Sequence, residues 1–187
     1  MHTVISWLPR AARRFGGDRR GVSAVEFALL APIMIALYLG MVEISDGVGV
    51  DRKVSLTAST LANLTAQYTT LDTNELNNIL DASSAIVAPY SPGKLALVVS
   101  CLNIDANKNV TVKWSVARNT AVRSGTVVIP DGLQVANTQL VLAEAFYAYT
   151  PIVGYTLTGT LNLSDRMYMS PRISAPIYNN INCAPAS

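Results

Sequence analysis

The chain has 187 residues and a mass of 20.0 kDa, room for one domain with an appendage. Half of its residues are hydrophobic, 14% are charged and the mean hydropathy is +0.31, too apolar for a disordered chain and high for a soluble one, so some part of it meets lipid. The single histidine, His2, excludes multi-histidine metal sites and leaves Ser-His-Asp or Cys-His catalysis only if the second residue takes part.

The formal charge of +2 averages two unlike regions. Residues 1–21 carry Arg10, Arg13, Arg14, Arg19 and Arg20 against Asp18, a formal +4, and the remainder carries −2. A basic stretch of this kind serves nucleic acid, a membrane surface or a topogenic signal, and the residues that follow decide between them. Phe27–Val42 holds no charge and is bounded by Glu26 and Glu43. As a helix it rises about 24 Å, and extension back to Val22 reaches the roughly 30 Å of a hydrocarbon core. Residues 22–45 therefore read as a transmembrane helix, with Pro32 predicting a kink. Arginines before the span, and none until Arg52 after it, place the amino terminus in the cytoplasm and the carboxy-terminal part outside. The protein is then read as a single-pass membrane chain that does not bind nucleic acid; the resemblance given below implies the inner membrane, with the carboxy-terminal part in the periplasm. With that extension Glu26 falls inside the span, where a carboxylate costs up to about 3 kcal/mol and a function is expected of it; the other reading is a helix that starts after Glu26 and leaves the acid in the headgroups.

The junction reads Asp18-Arg19-Arg20-Gly21-Val22-Ser23-Ala24-Val25-Glu26-Phe27. A basic leader ends in glycine, an apolar helix starts at the next residue, and the acid of its first half lies five residues past that glycine, followed by an aromatic. This resembles the class III signal of type IV prepilins, in particular the tight-adherence (Flp/Tad) branch. The resemblance implies that a membrane-embedded aspartyl prepilin peptidase cuts between Gly21 and Val22. Glycine suits that cut, since it lets the peptidase approach the scissile carbonyl and lets the helix unwind locally. Glu26 would then pair with the α-amino group released on a neighbouring subunit, because an unpaired buried charge is expensive. An ordinary secretory signal would be cut after the apolar run, yet Glu43-Ile44-Ser45-Asp46-Gly47 offers no such site. The wider string from Arg19 to Ser45 is similar to the opening of TadE-like proteins. Ala143–Pro151, with Glu144, Tyr147, Tyr149 and Pro151, and Met169-Ser170-Pro171-Arg172 resemble the same family's later strand and closing Pro-Arg.

Beyond the span, residues 46–93 read as helical. Val50, Val54, Ala58, Leu61, Thr65 and Tyr68 form a narrow apolar stripe, and Gly47-Val48-Gly49 reads as a bend. Asp72-Thr73-Asn74-Glu75 is a capping box that starts a second helix with an apolar face of Leu76, Ile79, Leu80, Ile86 and Val87, ending before Pro89. From 94 to 187 the period changes to two. Strands are expected at Leu95–Ile104, Val110–Val116, Thr126–Ile129, Leu140–Tyr149, Tyr155–Leu163 and Arg166–Met169, with turns at Asp105–Asn109 and Pro130-Asp131-Gly132. Val110, Val112, Trp114 and Val116 alternate with polar residues, which implies an antiparallel sheet with one wet face, covered on the other by the helices. The fold class is α+β: a long pilin-like helix, then helices packed on an antiparallel sheet, with 46–93 and 94–187 in one globular domain.

Cys101 and Cys183 both fall on the oxidising side and read as a disulfide pinning the tail to the first long strand. Glu144, on an apolar strand, reads equally as the partner of Arg166 or Arg172. Ser-Lys pairs or paired acids such as Asp131 and Glu144 offer chemistry, but no motif places them together. No catalytic, cofactor or metal site is expected, and the chain is not read as an enzyme. It reads as a minor pilin (pseudopilin) of an Flp-type pilus, with the prepilin peptidase, other minor pilins, the major Flp pilin and the inner membrane as partners, able to enter the pilus and support adhesion. An uncleaved, membrane-anchored periplasmic adhesin or scaffold is the other reading of the same string.

Overall fold

The structure is a computed structural model that describes residues 19–151 and 159–184. The leader up to Asp18, and the first four residues of the strand expected at Tyr155–Leu163, lie outside those residues. Two units divide the chain, Met1–Ile44 and Ser45–Ser187.

Helix α1 covers Arg19–Thr65 and contains Pro32. Between Glu26 and Glu43 it is apolar on every side, and none of the large apolar residues of the first unit is buried: Phe27, Leu37 and Ile44 each keep about 70% of their surface. An all-round apolar helix satisfies its own backbone bonds and leaves nothing for water, which is the pattern of a membrane span. In the second unit the same helix changes character. Val50, Val54, Ala58, Leu61 and Thr65 are fully buried, one stripe at helical spacing. The bend expected at Gly47-Val48-Gly49 is absent, because helical hydrogen bonding runs through both glycines. Tyr68 drops out of the expected stripe: the helix stops at Thr65, and Tyr68 lies exposed in the following turn.

A two-residue strand, β1 (Thr70–Leu71), precedes helix α2 (Thr73–Ser84). Asp72 caps α2 in a complete capping box. Its Oδ1 accepts from the Glu75 backbone N–H at 2.7 Å, and Glu75 Oε2 accepts from the Asp72 N–H at 2.9 Å. Leu76, Ile79 and Leu80 face the core, and Val87 joins them from the 3-10 turn Ala85–Val87, whereas Ile86 stays half-exposed.

Four long strands follow: β2 (Leu95–Ile104), β3 (Val110–Arg118), β4 (Thr138–Tyr149) and β5 (Leu161–Met169). They form one antiparallel sheet in the order β3-β2-β4-β5. A last short strand, β6 (Ile177–Tyr178), lies parallel to β1. The architecture is α+β, as the residue pattern implies.

Three strand expectations are corrected. Cys101 pairs with Trp114 but Leu102 pairs with Val112, so Lys113 is the extra residue of a bulge. A bulge reverses which face alternate residues occupy. Trp114 and Val116 therefore join the helix-side core with Leu97, Val99 and Cys101, while Val110 and Val112 join Leu102, Ile104, Leu140 and Leu142 on the opposite face. Thr126–Ile129 is no strand: Thr126 makes a single bridge to Thr111, and Ile129 is buried with the second-face residues. Val127, Ile129 and Leu133, in the connection Asn119–Asn137, roof part of that face, so it is not fully wet. Finally, β5 runs unbroken through Ser164 and Asp165, since each pairs in register with β4.

Candidate functional site

Gly21, Val22, Glu26 and Phe27 sit together on the first turns of α1. Val22 and Glu26 are one turn apart on the same face, with about 6 Å of rise between them. Val22 and Phe27 keep 59% and 69% of their surface, and Glu26 is exposed as well. No atom lies within 4 Å of the point where a Cβ on Gly21 would sit, so packing within the chain does not demand glycine there. Helix α1 is long and apolar enough to cross a membrane, and its most apolar window is unburied.

Two charged clusters occur in the second unit. Glu144 on β4 is fully buried and is held by two guanidinium groups. Arg123 Nε and Nη2 donate to its Oε2 and Oε1 at 2.5 and 2.6 Å, and Arg166 Nε approaches Oε1 at 2.9 Å. The bidentate hydrogen bond from Glu144's carboxylate, ahead of any other influence, pushes the Arg123 pKa up. Arg172, the other candidate partner, serves elsewhere: its Nη2 donates to Asn63 Oδ1 at 2.7 Å and its backbone N–H to Ala66 O. Arg123 carries no periodic signal in the sequence, and only the path of the roof brings it to Glu144.

Asp46 is the centre of the second cluster. Tyr90 Oη donates to its Oδ1 at 2.5 Å and Tyr149 Oη to its Oδ2 at 3.2 Å. The hydrogen bond to Asp46, reinforced by burial and by the Asp46 charge, pushes the Tyr90 pKa up to about 12. Tyr147 stands edge-on to Tyr90 with ring centroids 6.5 Å apart, and burial raises its pKa too. Asp46 escaped the sequence reading, although its place as the first acid after the span was the available signal.

Cys101 and Cys183 form a disulfide with Cα atoms 5.9 Å apart. Beside it, Trp114 Nε1 donates to Pro176 O at 3.0 Å, and the tail is further tied by β6. Among the described residues no group of His, Cys, Asp and Glu could hold a metal ion.

The uncovered helix with its glycine-to-glutamate junction is where comparison with known families converges: the model for TadE-like protein matches residues 21–62. Over this segment the chain is similar to TadE-like protein. No curated protein and no solved structure matches the chain. The TadE-like segment begins at Gly21 itself and takes in both the unburied apolar helix and the buried stripe from Val50 to Ala62. Its family points to a protein associated with the Tad pilus. The Glu144, Tyr147, Tyr149 and Pro151 string and Met169–Arg172 lie beyond the matched TadE-like residues. In the fold they supply the buried carboxylate, one of the Asp46 donors and the tail's tie to α1.

Proposed function

We propose that this chain is a minor pilin (pseudopilin) of an Flp-type tight-adherence pilus, cut by a prepilin peptidase between Gly21 and Val22 and then assembled through its apolar helix. One observation carries the reading: the family match and the Gly-x4-Glu-Phe string start at the same residue, Gly21, in the first turns of the apolar helix. The chain is a substrate of an enzyme and does not itself catalyse a reaction. Before assembly it crosses the inner membrane once, with the leader in the cytoplasm and Ser45–Ser187 in the periplasm, where the Cys101–Cys183 bridge can form. Within a pilus, the exposed carboxylate of Glu26 takes the α-amino group of Val22 on a neighbouring subunit, and Phe27 and the other uncovered side chains pack against other pilins. The prepilin peptidase, other minor pilins and the major Flp pilin are thus its partners, and surface adhesion is the outcome.

The decisive experiment is mass spectrometry of the protein made with its cognate peptidase, as wild type and as Glu26→Ala. Val22 is expected as the amino terminus of both, with pili formed in the wild type alone. An intact leader would favour the anchored periplasmic protein, and normal pili in Glu26→Ala would remove the charge-pairing step. For topology, alkaline phosphatase fused after Ser187 is expected to be active; an inactive fusion would reverse the assignment.

A further inference from the structure

Val127, Ile129 and Leu133 roof one end of the sheet's second face, on Leu102 and Leu140. Toward the other end, strand alternation brings Ala96, Ala117, Phe146 and Ala148 to that same face, all half-buried, with exposed Ser164 in register beside Phe146. Three small side chains and one ring make a low apolar floor that keeps part of its surface in water. The charged cluster borders this floor, because Glu144 and Arg166 lie two residues along their strands from Phe146 and Ser164. Arg123 neutralises Glu144 through its own pair of hydrogen bonds, so Arg166 brings a charge beyond what the buried carboxylate needs. It approaches Glu144 with Nε alone, its side chain is 52% exposed, and its Nη1 and Nη2 have no partner among the described residues.

The floor itself supplies no acid, but the roof displays one. Asp131 is exposed and has no cation partner among the described residues; its Oδ1 accepts a long bond from Gln134 Nε2 at 3.4 Å. Val128 and Val135, on either side of it in the chain, keep 87% and 57% of their surface. Val128 stands outward because its neighbours Val127 and Ile129 pack inward. One exposed valine is ordinary. Two of them flanking an unpaired carboxylate match, in polarity and in charge, an apolar floor bordered by an underused guanidinium.

We propose that the roof crest Val128–Val135 of one copy of this chain docks on the floor of a second copy, Asp131 pairing with Arg166 and the valines lying on Phe146 and the alanines. Crest and floor are different surfaces, so the contact is heterologous. A pair of copies still offers one free crest and one free floor, and the contact can propagate. It involves Ser45–Ser187 alone and stands whether or not the leader is cut.

The test is disulfide cross-linking between two populations of the full, uncut chain in detergent, one carrying Val128→Cys and the other Ser164→Cys. The native cysteines are already joined to each other. Mixed dimers are expected to form several-fold faster than in a control pairing Val128→Cys with Ile173→Cys, a tail position that is 77% exposed. Asp131→Arg in the Val128→Cys chain turns the attraction into repulsion and should lower the yield about tenfold, whereas Asp131→Glu should keep it. Arg166→Gln in the receiving chain should lower it as well. If that variant does not fold, Asp131→Arg carries the test, since it changes an exposed turn residue. Equal rates in the Ile173 control, or a yield unmoved by Asp131→Arg, would overturn the second copy as the occupant in favour of a different acidic chain.

Discussion

At the scale of single residues, Asp46 turns a tyrosine into a marker of folding. The hydrogen bond from Tyr90 holds its phenol protonated up to about pH 12, against 10.0 for an ordinary tyrosine. A pKa raised in the folded state means that the contribution to stability is complete below about pH 10 and is lost as pH rises toward about 12. Tyrosinate absorbance during alkaline titration in detergent should therefore show Tyr90 titrating late. Tyr147, raised by burial, also titrates late, so the difference between wild type and Tyr90→Phe isolates the contribution of Tyr90. If both proteins lose the same stability between pH 10 and 12, the Asp46 bond is not the cause. The turn at Asp105 shows the opposite sign. Its carboxylate accepts from the side chain and backbone of Asn109 and the backbone of Asn107, and these bonds hold its pKa low. The Asp105–Asn109 turn and the Asp72 capping box were both legible in sequence because each is closed by neighbours within four residues.

At the scale of elements, the roof from Asn119 to Asn137 is the part least visible beforehand. It is neither helix nor strand, so it has no period to read. What holds it is specific: Arg123 on Glu144, the Arg123 backbone N–H on Ser115 Oγ at 3.0 Å, the backbone bonds from Val112 to Gly125 and from Val127 to Val110, and buried Ile129. Arg123→Ala removes two charge-assisted bonds from a fully buried carboxylate and should destabilise by about 2 kcal/mol. Arg166→Ala should cost less, about 1 kcal/mol, because Arg166 is half-exposed and approaches with one nitrogen. Urea unfolding in detergent measures both, and equal losses would argue that Arg123 does not fasten the roof. The bulge at Lys113 has the same origin. Alternation over Val110–Val116 identifies a strand, but a one-residue slip is invisible without its partner β2, and that slip sends Trp114 to one face and Val112 to the other.

At the scale of the whole molecule, the tail closes the fold from outside. The Cys101–Cys183 bridge spans a sequence separation of 82, and loss of it should destabilise the domain by about 4 kcal/mol on the chain-entropy view. Thermal unfolding of Cys101→Ser with Cys183→Ser, compared with wild type, measures that loss; an unchanged midpoint would mean that β6 and the Trp114 bond to Pro176 hold the tail by themselves. The sequence by itself determined the long apolar helix, the buried stripe, α2 and three of the four long strands, β2, β3 and β4. These depend on residues close in the chain, on period and on charge. It also marked Glu144 as the partner of an arginine. Only the tertiary structure decided that Arg123 is one of the partners, that Asp46 is gripped by Tyr90 and Tyr149, that Gly47 and Gly49 stay helical, and that the sheet's second face is partly roofed. Those contacts join segments from 21 to 103 residues apart. Burial decides them, because a carboxylate out of water takes whichever donor the packed chain brings within reach, whatever its place in the sequence.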